Sequence, residues 1–207
     1  MKNWLYLTLS VVVISLALFL RLYKIENRAP FDWDQNRDYL AIAQIVEGKP
    51  TLIGPVAKGE GGFFLGPLYY YLSVPGFILS GGNLSSLPVT SVALDVLAIV
   101  AVLTLFPRVW GKHQSILLAL AWSLSWFAIE MSHISWNVAL LQVWLIYFIY
   151  LLSLPLSSWK ALLFGLILGL TWHIHAVIIP LSLLVSMVCL KKLEIKWIYL
   201  LHMGVGY

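Results

Sequence analysis

Residues 4–22, WLYLTLSVVVISLALFLRL, hold no charge before Arg21 and are long enough to cross a bilayer, which takes about 20 apolar residues of helix. The run is longer than the core of a signal peptide, and LFLRLYK shows no small-x-small cleavage pattern, so it reads as an uncleaved first span. The next segment has a different character. Of the chain's 13 Lys and Arg and nine Asp and Glu, six of each lie between Arg21 and Glu60. The acids are Glu26, Asp32, Asp34, Asp38, Glu47 and Glu60, and the bases are Arg21, Lys24, Arg28, Arg37, Lys49 and Lys58. A polar, neutral platform directly after a first span is where such a chain would keep its chemistry.

The 207 residues are 61% hydrophobic and 11% charged, with a mean hydropathy of +0.90, against about 25% charged in soluble domains. The fold class this implies is all-α, a polytopic membrane helical bundle. The net charge of +4 comes from bases at the ends of apolar runs, which reads as topology and not as a nucleic-acid surface. Cys189 is the single cysteine, so neither an internal disulfide nor a Cys-based metal site is available.

Further apolar runs fall at 68–79, 87–107, 114–131, 137–154, 161–174, 176–190 and from 197 onward. The 68–79 run is short and holds Pro75 and Gly76, so it is expected to lie in the interface as a helix over 67–80. With that choice Lys2, Arg108, Lys112, Lys160, Lys191, Lys192 and Lys196 share one face, and the loops at 132–136 and 173–176 contain no Lys or Arg. The positive-inside rule then puts the amino terminus in the cytoplasm and the 23–85 loop outside the cell membrane. His173, His175 and Pro180 divide 161–190 into two short halves, read as a helical hairpin, with one long tilted helix as the alternative. The sequence stops inside the apolar LLHMGVGY, the expectation for one module, 1–207, of a longer chain.

Within the platform, 34–47 has the spacing of an amphipathic helix, with Tyr39, Ile42, Ala43 and Val46 expected to rest on the membrane. Asp34, Arg37 and Asp38 share a face near its start. Two accounts fit them. Asp32 and Gln35 have capping-box spacing and Asp34 suits the helix dipole, with Arg37 neutralising its neighbours. Alternatively, one carboxylate is a general base on a hydroxyl and the adjacent cation serves a phosphate.

Asp34-Gln35, the helix with Arg37 and Asp38, and then Gly66-Pro67-Leu68-Tyr69-Tyr70-Tyr71 follow a first span in an order that resembles the GT-C glycosyltransferases of the dolichyl-phosphate-mannose–protein mannosyltransferase type, including the aminoarabinose transferases. Ser132-His133-Ile134-Ser135-Trp136-Asn137, Gly165 to Gly169, and His173-Ile174-His175 extend that resemblance over the chain. It implies a transferase using a polyprenyl-phosphate-linked sugar, with a lipid, glycan or protein acceptor and membrane lipids around it. Asp34 matches the family's base aspartate, and Arg37 and Lys58 would hold the phosphate. Gln35 stands where many members have Glu, and Asn137 falls near a position where some have a second acid. Neither a cofactor nor a divalent metal is supported.

Other residues have two readings each. Glu130 is either the second acid or an interfacial polar group. Tyr69 and Tyr70 either stack on a sugar or anchor the interfacial helix. His133, Asn137, His173 and His175 are substrate-pocket candidates, although His173 and His175, two apart, make a poor metal pair on a helix. Gly59, Gly61 and Gly62 suggest a closing loop. Asp95, mid-span, is either functional or hydrogen-bonded between helices. It motivates the competing expectation of a transporter or lipid-handling protein, while a fragment of the transferase lacking activity is a third.

Overall fold

The computed structural model describes residues 1–57, 62–155 and 157–191, and within them the chain is all helical. Helix α1 (Asn3–Leu22) and α5 (Ser86–Leu105, continued by a 3-10 turn at Phe106–Arg108) are long and apolar enough to cross a membrane. A third span forms if α6 (Lys112–Leu124) and α7 (Trp126–His133), bent by 60° at Ser125, are taken together. Short α2 (Ile25–Arg28), α3 (Trp33–Val46) and α4 (Leu68–Leu79) lie between α1 and α5. A 3-10 turn at Asn137–Ala139 leads into α8 (Leu140–Leu152), followed by α9 (Ser158–Gly169), a 3-10 turn at Leu170–His173 and α10 (Ile178–Lys191).

Helix α5 is the hub. Ala98, Ile99 and Val102 pack with Val13 and Ala17 of α1 and with Ile116 and Ala119 of α6. Leu87 and Leu94 join a second core made by α3, α4, α8 and α9. There the rings of Trp144, Phe148 and Phe164 stack at 4.7 and 5.3 Å, and the Trp144 indole donates to Ile167 O at 2.6 Å. Lys112 Nζ bonds Asn3 Oδ1 and the Tyr6 hydroxyl bonds Leu103 O. The start of α1, the end of α5 and the start of α6 therefore lie together, which brings Lys2, Arg108 and Lys112 to one end of the molecule.

The α6–α7 bend contains no proline. Ser125 instead accepts a hydrogen bond from Ala128 N at 3.3 Å and caps α7. A cap there interrupts the ladder of the preceding helix and frees carbonyls at the end of α6. Arg21 of α1 takes them up, donating to Ser123 O at 3.1 Å and Trp122 O at 3.3 Å.

Three sequence expectations are corrected. Arg21 belongs to no polar platform. It is fully buried and its Nε pairs with Asp95, itself fully buried and also held by the Trp122 indole at 2.8 Å. A carboxylate in the middle of an apolar helix needs a cation in reach, and the last turn of α1 supplies it. Second, the Tyr39–Ile42 face of α3 does not lie open to lipid. Ile42 is buried against α4, and the Tyr39 ring packs on Phe77 at 5.2 Å with its hydroxyl on Gly82 O. Two short helices cover their apolar stripes against each other more completely than either could alone. Third, Pro180 does not divide the 161–190 segment. It sits in the first turn of α10, where a missing N–H costs nothing, and the interruption comes earlier, between Leu170 and Val177.

Candidate functional site

The capping box foreseen at Asp32 is present. Trp33 N donates to Asp32 Oδ1 at 2.7 Å and Gln35 Oε1 accepts from Asp32 N at 3.0 Å. This cap fixes where α3 begins and hence which way Asp34, Arg37 and Asp38 project. Arg37 forks between the two acids. Its Nη1 donates to Asp34 Oδ1 at 2.6 Å, while Nε and Nη2 donate to Asp38 Oδ1 at 2.8 and 2.7 Å. The cap exists and Arg37 pairs with both neighbouring carboxylates, as the capping account expects.

The two acids differ in surroundings. The Asp34 side chain is 47% exposed, whereas that of Asp38 is wholly buried. Asp38 Oδ2 has no hydrogen-bond partner among the described residues. Burial pushes its carboxyl up from the ordinary 3.8 to about 6, against the lowering pull of Arg37 and of Tyr70. Burial and the nearby Asp38 charge likewise raise the Tyr70 hydroxyl. Arg37 spends three N–H groups on these bonds, leaving two of the five a guanidinium carries. With both acids ionised the trio has one net negative charge, and with Asp38 protonated it is neutral.

Asp34 and Arg37 line an open groove of about 590 Å³ along α3, with Trp33, Leu40 and Gln44. On the far side of α4 an apolar cavity of about 360 Å³ is bounded by Leu68 and Leu72, by Leu94 and Leu97 of α5, and by Trp144 and Ile174. Helix α4 therefore has the apolar cavity on its Leu68–Leu72 face and the α3 carboxylates on its Tyr70 face.

The structure brings Asp34, Arg37, Asp38 and Tyr70 together and places the other candidates elsewhere. Tyr69 is fully buried, with its hydroxyl 3.1 Å from Ser91 Oγ, so its ring is not open to a sugar. Glu130 pairs with Arg28 at 3.2 Å. His133 is buried, with Nε2 2.8 Å from Arg21 O. Asn137 Nδ2 donates to Ile174 O. His173 Nδ1 accepts from Leu68 N at 3.2 Å, at the head of α4, and His175 Nδ1 from Val177 N at 3.3 Å. Glu130, His133, Asn137 and His173 thus hold connections: α2 to α7, α1 to α7, α8's leading turn to the 170s, and α4 to the 170s. Lys58, Gly59 and Gly61 lie outside the described residues, although Val56 and Phe64 on either side pair as an antiparallel bridge.

Gly66 is the hinge of that last connection. Its N–H donates to Trp172 O at 2.8 Å, and a Cβ there would overlap the His173 ring. Sequence reasoning missed the Arg21–Asp95 and Arg28–Glu130 pairs. The signal for the first was available, since Arg21 is the one base inside the 4–22 run and Asp95 the one acid inside the 87–107 run. Comparison with known protein families, curated sequences and solved structures gives no match.

Proposed function

We propose that this chain is a polytopic membrane module of a glycosyltransferase, moving a sugar from a polyprenyl-phosphate donor to an acceptor hydroxyl on the extracytoplasmic side. The observation that carries the reading is the Arg37 fork, which holds a solvent-accessible carboxylate at Asp34 on a helix packed against α4, whose other face borders an apolar cavity. An isoprenoid tail suits that cavity and an anionic, sugar-bearing head suits the polar face. The grouping of Lys2, Arg108 and Lys112 at one end supports the orientation.

In this mechanism the acceptor hydroxyl gives its proton to Asp34 through Oδ2, the oxygen that Arg37 leaves free. The acceptor oxygen bonds to the anomeric carbon as the bond from that carbon to the phosphate oxygen breaks. The electron pair departs on the phosphate, where the two unspent N–H groups of Arg37 can meet the charge. Protonation of Asp38 removes the trio's net negative charge and so favours the phosphate. No step needs a metal.

The test is release of free polyprenyl phosphate by the full chain in nanodiscs, supplied with a synthetic polyprenyl-phosphate sugar. Asp34→Asn is expected to abolish release while leaving insertion unchanged. Release at the wild-type rate by that variant would remove the assigned role.

A further inference from the structure

A second cavity lies apart from the carboxylate fork. It has a volume of about 340 Å³, within the range of small-molecule sites, and sits between the α2–α3 connection, the start of α5 and the α7–α8 connection. Its polar lining is Glu26, Asn83, Ser85 and Ser135, and its apolar lining includes Pro30 and Phe31. Neither Lys nor Arg is among the lining residues.

Ser135 is the informative one. It is 1% exposed, and its Oγ has no hydrogen-bond partner among the described residues. Buried hydroxyls are nearly always paired, so a bare one beneath a cavity wall is free to bond a guest hydroxyl or a water there. Asn83 Oδ1 already accepts from Ser85 N and Oγ, both at 2.9 Å, so the amide offers its Nδ2 donors. Glu26 is exposed and offers acceptors. Phe31 is 50% exposed and presents a flat apolar face.

We propose that this cavity binds a neutral saccharide, and that it is the acceptor end of the transferase site. The chemistry matches on both counts. A sugar ring has one face of C–H groups, which an aromatic ring can cover, and a rim of hydroxyls, which each donate and accept. A phosphate or carboxylate would meet Glu26 with no cation in the lining to offset it, and an isoprenoid would strip water from Glu26 and the Asn83 amide and leave Ser135 Oγ unpaired. The cavity also neighbours the fork along the surface of the α2–α3 connection. A smaller one of about 220 Å³ shares Phe31 with it, and shares Trp33 and Asn36 with the Asp34–Arg37 groove. Three residue steps separate Phe31 from Asp34, at most ~11 Å of chain. A saccharide seated at Ser135 and Phe31 therefore extends past Trp33, itself 85% exposed, and carries a hydroxyl to Asp34.

The acceptor role rests on the proposed transferase reading, but the binding does not. The test is retention of the detergent-solubilised full chain on an array of neutral hexose, pentose and hexosamine oligosaccharides, with uronic-acid and sulfated oligosaccharides alongside. The best neutral glycan is then titrated. Ser135→Ala removes a hydroxyl that bonds nothing in the protein, and Phe31→Ala changes a surface ring, so both variants should fold. Ser135→Ala is expected to weaken binding by about threefold to tenfold, the worth of one hydrogen bond, and Phe31→Ala to weaken it further. Absence of retention on any neutral glycan, preference for the anionic ones, or affinity unmoved by both substitutions would overturn the proposal. Wild-type release of polyprenyl phosphate without glycan binding defeats this site alone. Glycan binding alongside unimpaired release by Asp34→Asn defeats the catalytic reading alone.

Discussion

Removing Arg21 and removing Asp95 should not be equally harmful, although each breaks the same ion pair. Both side chains are fully buried, and breaking a buried pair costs about 3–5 kcal/mol. In Arg21→Met the stranded carboxylate keeps its bond to the Trp122 indole and can escape its charge by taking a proton. In Asp95→Leu the stranded guanidinium cannot lose its proton and has only the carbonyls of Ala17, Trp122 and Ser123. Asp95→Leu is therefore expected to be the more damaging. The double variant buries no lone charge. What it lacks is a donor for Ser123 O, a deficit of about 1–3 kcal/mol, since Trp122 O still accepts from Ser125 N at 3.2 Å, and an acceptor for the half-buried Trp122 indole, which Asp95 held. The double variant should then be more stable than Asp95→Leu, with a coupling of several kcal/mol. Reversible unfolding in mixed micelles measures all four proteins. Additive effects, within about 0.5 kcal/mol, or a milder Asp95→Leu, would refute the reasoning.

Asp38 holds its proton more tightly folded, at about 6, than at its ordinary 3.8, so its contribution favours the folded state at low pH and is lost as pH rises through 6. The difference is worth about 3 kcal/mol, and between pH 4.5 and 7.5 the unfolding midpoint of the wild type should fall relative to that of Asp38→Asn. Over the same range the KM for an anionic donor should climb in the wild type only, because the trio's charge goes from zero to minus one. Gly66→Ala drives a methyl into the His173 ring and should cost about 1–3 kcal/mol, with faster amide exchange at Leu68 as its bond to His173 loosens. Asp32→Ala removes the capping box and should cost about 1 kcal/mol, read as fraying of the Trp33–Arg37 turn by hydrogen exchange. Wild-type protection there would contradict the assignment.

The helices at 34–47 and 67–80 were legible in the sequence because each carries a local signal, Asp32 and Gln35 at capping spacing for one and a short proline-bearing apolar run for the other. The bounds of α1 and α5 were legible for the same reason. What each helix touches was not. The spacing of Tyr39 and Ile42 specifies an apolar stripe but not whether lipid or another helix covers it, and here α4 does. The bend at Ser125 also escaped, because a serine cap within an apolar run leaves hydropathy unchanged. Of the candidate site, Asp34, Arg37 and Asp38 meet because they are neighbours on one helix. Glu130, His133, Asn137 and His173 are set by contacts far apart in sequence, and their types alone could not separate a ligand pocket from a tie between segments.

The guanidinium of Arg21 also bears on how the chain is built. The carbonyl of Ser123 is orphaned by a cap a hundred residues downstream of the group that satisfies it. In a chain synthesised from its amino end, the donor is already in place when the bent α6–α7 segment leaves the ribosome. The order of genes cut and rejoined would matter accordingly: a permuted chain that makes its 114–131 apolar segment before its first would have to park a bare peptide oxygen in oil, and would be expected to stall at the insertion machinery.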